Sequence, residues 1–332
     1  MVERLMAGAA TSNSALRGIV PMIAKRIGSA LITLFLVSAV IFTISGLLPG
    51  DAAQETLGQS ATPQQVAALR HEMGLDRPPL TRYTEWLGAI VTGNPGQSAV
   101  ANMPVREIIS ARLPNSLMLA GLTALVAVPL ALLIGIGSAI DRGGLLDRTL
   151  NVVTLSMVAT PEFLIATLGV LLFSVRLLWL PSIALVSPDA SWSELFRSCA
   201  LPVLTLTVVV VAQMARMTRA AVADQLDRPY VEMARLKGLS FRRIVLSHVM
   251  PNAVGPIVNA AALSLSYLMG GAIIVETIFN FPGLASLMVN AVTSRDMPLL
   301  QACAMIFCAA YLLLMLVADV IAILANPRLR AQ

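Results

Sequence analysis

Six apolar runs, each about long enough to cross a bilayer, dominate the chain: 27–48, 113–140, 150–172, 201–217, 253–274 and 299–324. Within hydrocarbon every backbone amide must be bonded inside the protein, so such runs become helices or barrel strands. Their length and continuity select helices, and the fold class is an all-α integral membrane protein. With 57% hydrophobic and 12% charged residues, the chain lies far from ordinary soluble domains. Pro129, Pro161 and Pro256 fall within or beside these runs, which predicts kinked helices packed against one another.

Residues 1–20 are small, polar and loosely patterned, a disordered or interfacial lead-in to Lys25 and Arg26. The first run is too long for a signal peptide and no A-x-A site follows promptly, so an uncleaved first helix is expected. It stops at Leu48-Pro49-Gly50-Asp51. Residues 51–112 are polar enough to lie outside the membrane and include helical material over 63–73. Tyr83 and Trp86 suit a membrane interface, where half of an amphipathic ring is wet.

With the amino terminus inside, the inner segments hold most of the 23 Lys and Arg residues although the outer ones are longer. The positive-inside rule then puts both termini and the basic segment 230–256 in the cytoplasm. The basic residues sit beside apolar spans without interleaved aromatics, so topology accounts for the pI of about 9.6 and nucleic acid is not an expected partner. Cys199, Cys303 and Cys308 form no CxxC pair and read as small buried side chains, with no metal site or disulfide framework.

The polar island YVEMARLKGLSFRRIVLSHVMPNAVGP, 230–256, interrupts the apolar pattern. Asp227 and Pro229 start a short helix that Gly238 stops in the left-handed conformation. Tyr230, Met233 and Ala234 give this helix an apolar face. Ser240 can cap a second helix, 241–249. Arg242 and Arg243 fall in its first turn, against the helix dipole, and are expected to face lipid phosphates or a partner.

Ala234, Lys237, Gly238, Leu239 and Ser240, followed by His248, Asn252, Ala253 and Pro256, resemble the EAA loop of ATP-binding-cassette (ABC) importer permeases, in the wording of the dipeptide/oligopeptide branch. Leu236 replaces the second Ala of the usual ARAKGL. Gly74 to Ser98 resemble the family's GLD-P…YxxWL…GxxGxS segment, Glu276 to Gly283 its VETVFxxPG, and Arg295-Asp296-Met297-Pro298 its RDxP. Asp319 with Pro327-Arg328-Leu329-Arg330 resembles the terminal D…DPRxR, with Asn326 where Asp is usual.

The resemblance implies a type I importer transmembrane domain of about six helices in the bacterial inner membrane. Its parts would be a cytoplasmic segment 1–26, a first span 27–48, an extracytoplasmic insertion 49–112, a core 113–325 with coupling loop 227–256, and a cytoplasmic tail 326–332. It implies a translocation pathway for peptides, coupled through Tyr230, Glu232, Ala234, Lys237, Gly238, Leu239, Ser240, Arg242, Arg243 and His248 to cytoplasmic ATPases. The implied partners are a second homologous permease, two ATPases and an extracytoplasmic substrate-binding protein, all with membrane lipid around the bundle. The chain has no G-x-x-x-x-G-K-[ST] loop and no nucleophile paired with a base, so ATP and Mg²⁺ are expected on the ATPases and no enzymatic activity here.

Three carboxylates need an explanation, because intramembrane charge is costly and marks pathways or partners. Glu162, beside Pro161 in the third run, is a candidate pathway group for a cationic substrate end. Glu276 is a candidate for the pathway or for pinning an outer gate, and Asp319 is expected to have a structural partner. The rival classes are a proton-coupled secondary transporter using Glu162 and Asp319, an importer of glutathione, nickel chelates, opines or oligosaccharides, and a membrane scaffold.

Overall fold

The computed structural model describes residues 2–47, 61–72, 76–186 and 191–325, with side chains from residue 21 onward other than those of 69, 72, 324 and 325. The stop expected at 48–51, Gly74 of the GLD segment and the tail from Asn326 to Arg330 lie outside the described residues.

All regular structure among the described residues is helical. Helix α1 spans Val2–Leu47, so the described lead-in is helical; α2 spans Pro63–Glu72 and α3 Pro79–Val91. The core begins with α4, Val105–Ile140, and α5, Leu145–Ala159. Helix α6, Glu162–Gly169, widens into π-helical turns over Val170–Arg176. Helix α7 is Trp192–Leu226, α8 Pro229–Leu236 and α9 Phe241–Ile244. Further π-helical turns, Val245–Val249, lead into α10, Met250–Ile278; α11, Leu284–Thr293, and α12, Met297–Ala325, complete the chain.

Among the described residues, five stretches are long and apolar enough to cross a membrane: Pro21–Leu47, Val105–Ile140, Trp192–Leu226, Phe241–Ile278 and Met297–Ile323. The sixth expected span, 150–172, is instead two helices, α5 and α6, bent by 99°. Pro161 has no N–H to continue the ladder and pushes the preceding Thr160 out of the helical region, to φ −85° and ψ 125°. A proline kink was expected; the chain breaks.

Helix α7 is the axle of the bundle. Half of its most apolar window is buried, against 6% for α1 at the periphery. Lipid supplies no hydrophobic drive between helices, so close van der Waals contact has to hold them. Gly135 of α4 allows it, since a Cβ there would lie 2.6 Å from the Ala215 carbonyl oxygen and 2.7 Å from Thr218 Cβ. Leu119, Ala127 and Ala131 of α4 and Leu201, Val210 and Met214 of α7 form the main core, closed by Leu268 and Phe279. A second cluster gathers Val222, Val231, Ala234, Ile244, Val249 and Ile257 at the end that carries α8; a third, at the opposite end, joins Val105, Leu284, Ala291 and Leu299.

Tyr83 and Trp86 pack on α1. The Tyr83 hydroxyl lies 2.8 Å from Ser38 Oγ, and both rings contact Phe42 at centroid distances of 5.4 and 5.6 Å. The aromatic pair therefore docks α3 against α1.

Candidate functional site

The 227–256 segment emerges at the foot of α7. Arg228 is extended, Pro229 takes the first helical position, where a missing N–H costs nothing, and α8 runs for two turns. Gly238 at φ +74° ends it in a Schellman arrangement: Leu239 N donates to Ala234 O at 3.2 Å, and Gly238 N to Arg235 O at 2.9 Å. The buried face is Val231 and Ala234, with Tyr230 half-buried and its hydroxyl donating to Gln225 at 2.9 Å. Met233, expected on that face, points outward, because Val231 three residues before Ala234 completes the stripe against Val222 and Ile244.

Ser240 is extended, and its side chain makes no capping bond; its carbonyl accepts Ile244 N at 3.0 Å. The expected separate helix 241–249 is also revised. Four α-helical residues pass through the π-helical turns directly into α10, with Pro251 removing a donor just beyond them. Ile244, Val245 and Val249 anchor this passage in the bundle.

The outer surface of α8 and α9 is apolar and basic. Leu236 is 77% exposed, Met233 and Phe241 are exposed beside it, and Glu232, Lys237, Arg242 and Arg243 surround them. The Arg235 guanidinium lies 5.9 Å from the Phe241 ring centroid. His248 is partly buried, and its Nδ1 finds no partner among the described residues. An exposed apolar patch with a polar rim, carried on two short helices, is the kind of surface on which a protein partner can dock.

Behind these helices lies an ion pair that sequence reading missed. Arg219 of α7 grips Asp147 of α5 with two bonds, Nε to Oδ1 at 2.6 Å and an Nη to Oδ2 at 2.7 Å. Asp147 also accepts Ser138 Oγ, Asn151 Nδ2 at 2.7 Å and Gly143 N at 2.9 Å, and is buried. One carboxylate thus joins α4, α5 and α7. An acidic residue in the first turn after Gly143-Gly144 was the visible signal, but its cation lies 72 residues away. On the surface nearby, Arg142 meets Asp227 at 2.6 Å.

Asp319 finds the structural partner expected of it, Arg26 on α1, at 3.1 Å. Glu276 is fully buried at the far end of α10. Its Oε1 accepts Ser116 Oγ at 2.6 Å and its Oε2 accepts Ser286 N at 2.8 Å. Ser116 Oγ in turn accepts Leu284 N at 2.7 Å, so the carboxylate caps α11 and pins the 279–284 turn to α4. Gly283 is required, since a Cβ there would sit 2.2 Å from Glu276 Oε1.

Glu162 differs from both. It opens α6 at the break after Pro161, is only 7% exposed, and neither oxygen has a hydrogen-bond partner among the described residues. Nearby, α10 shows an open stripe: Asn259, Leu263, Tyr267, Gly270 and Ile274 are exposed at helical spacing. An exposed amide within an apolar span is poorly placed against hydrocarbon, so this face belongs toward protein or water.

Residues 127–331 match the profile of the family described as "Binding-protein-dependent transport system inner membrane component", and residues 19–120 match the profile of its N-terminal region. The chain is 37% identical over 306 residues to the glutathione transport system permease protein GsiC of Escherichia coli K12, covering 92% of this chain and 97% of that protein. It is 32% identical over 308 residues to the probable peptide ABC transporter permease protein y4tP of Sinorhizobium fredii, covering 93% and 98%. Among solved structures, an inward-facing form of the MetNI methionine ABC transporter superposes with a TM-score of 0.53 at 18% identity, over 66% of this chain and 96% of that one. The last likeness is one of fold.

Proposed function

The chain belongs to the family of binding-protein-dependent transport system inner membrane components, and from that membership we propose that it forms half of the translocation pathway of an ATP-driven peptide importer. It is a multi-pass inner-membrane ABC permease subunit. In this reading both termini and the α8–α9 foot are cytoplasmic. Two ATPases hold ATP and Mg²⁺, a second homologous permease completes the pathway, and an extracytoplasmic binding protein delivers the solute. Peptides are the substrate class, because the relatives are named for glutathione, itself a tripeptide, and for peptide.

The carrying observation is the foot itself. Its outer face, Met233, Leu236, Phe241, Arg242 and Arg243, is open to a partner, while Val231, Ala234, Ile244 and Val249 are locked into the bundle. A displacement imposed by closing ATPases would pass through Gly238 and the α9–α10 connection into a span that ends at the Glu276 cap. Coupling of this kind requires differential contacts in two states of the bundle. A proton relay through Glu162 and Asp319 gains no support, since Asp319 is engaged by Arg26.

The test is energy source. Proteoliposomes carrying the assembled complex should accumulate peptide only with internal or external ATP presented to the ATPases. Uptake that persists without ATP and collapses with an uncoupler would overturn the reading.

A further inference from the structure

Glu162 occupies a niche made for a carboxylate and leaves it without a counterpart. A Cβ at Gly271 would fall 2.7 Å from Oε1 and 3.0 Å from Oε2, so the carboxylate lies directly against the α10 backbone at this glycine. A Cβ at the neighbouring Gly270 would meet nothing within 4 Å, so the space beside the niche opens outward. Tyr267, one turn earlier and 46% exposed, lies within range of the Glu162 charge. Glu162 also begins a helix at the 99° break between α5 and α6. Broken helices that present a charged group within the bilayer are the recurrent build of transport sites.

Resting on the importer reading, we infer that Glu162 with Tyr267 forms a subsite on the pathway face of α10 that receives the protonated amino group of a passing peptide. The carboxylate supplies the charge, the tyrosine ring or hydroxyl flanks the cation, and Gly270-Gly271 give access. A bound metal ion is a poorer occupant: no group of three or more His, Cys, Asp or Glu residues suited to a metal occurs among the described residues. A guanidinium or ammonium from the second permease is the competing occupant, and the test separates the two.

Two readouts on the assembled complex decide the matter. In membranes, dicyclohexylcarbodiimide should modify Glu162, as mapped by mass spectrometry, and trialanine should protect it where N-acetyl-trialanine does not. In proteoliposomes, Glu162→Gln should reduce ATP-dependent uptake of trialanine at least tenfold while changing that of N-acetyl-trialanine less than twofold, and Glu162→Asp should recover part of the loss. No adduct, an adduct that neither peptide blocks, or one that both block would overturn the subsite. An equal fall for both peptides in Glu162→Gln would also overturn it and favour an anchor to the second permease; no change for either would return Glu162 to a structural role. Absence of ATP-dependent uptake in the wild type would count against the importer reading, and the protection pattern would still decide the subsite.

Discussion

Ser98 donates its hydroxyl proton to the buried carboxylate of Asp296, 198 residues further along the chain. Asp296 also accepts Ala99 N at 3.2 Å and Leu299 N at 3.3 Å, so one side chain caps α12 and holds the segment before α4 on the core.

Asp296→Ala should remove the cap and strand the Ser98 hydroxyl. A loss of about 1–3 kcal/mol follows. Thermal unfolding of the detergent-solubilised complex checks it, together with faster protease cleavage near residues 94–104. An unchanged melting point would show that this segment is held elsewhere.

Gly238→Val forces a branched side chain into φ +74°. The strain is about 1–2 kcal/mol, small against the fold but placed where α8 turns toward α9. Uptake should fall to background while membrane insertion, read by fractionation, is retained; Gly238→Asn, which tolerates this conformation, should keep partial transport. Normal uptake in the valine variant would break the coupling argument.

Asp147→Asn leaves Arg219 without its carboxylate in a largely buried site. Breaking a buried pair costs about 3 kcal/mol, whereas removing both charges costs less. The melting point should therefore drop in Asp147→Asn and recover in Asp147→Leu combined with Arg219→Met. A double variant as unstable as the single one would refute the pairing account.

Gly135→Ala and Gly137→Ala form a matched pair on α4. The first places a methyl 2.6 Å from the Ala215 carbonyl oxygen, while the second meets nothing within 4 Å. Overpacking should cost the first about 1–3 kcal/mol, seen as lower yield and earlier unfolding. The second should match the wild type. Equal behaviour would mean that α4 and α7 have slack.

Much of this architecture is legible along the sequence because its determinants are local. Apolar length fixes which stretches can cross, and Gly238 announces its own turn by what only glycine tolerates. The resemblance around Lys237, Gly238 and Leu239 falls on the junction of α8 and α9. What stayed hidden depends on distance or context. Pro161 is plain to read, but a proline in a span kinks or breaks according to what its neighbours can satisfy. Ser240 has the chemistry of a cap, yet its side chain makes no capping bond. The Asp147–Arg219 pair and the Ser98–Asp296 bond join residues whose approach is set by helix packing, and no periodicity encodes a partner 72 or 198 positions away.

The uninterrupted passage from α9 through the π-helical turns into α10 makes residue count a matter of phase. At 3.6 residues per turn, one residue added or lost between Phe241 and Glu276 would rotate the far end by about 100°. The cap over Ser116 and Ser286 would then swing out of line with the foot. This stretch can drift in side-chain identity but not in length.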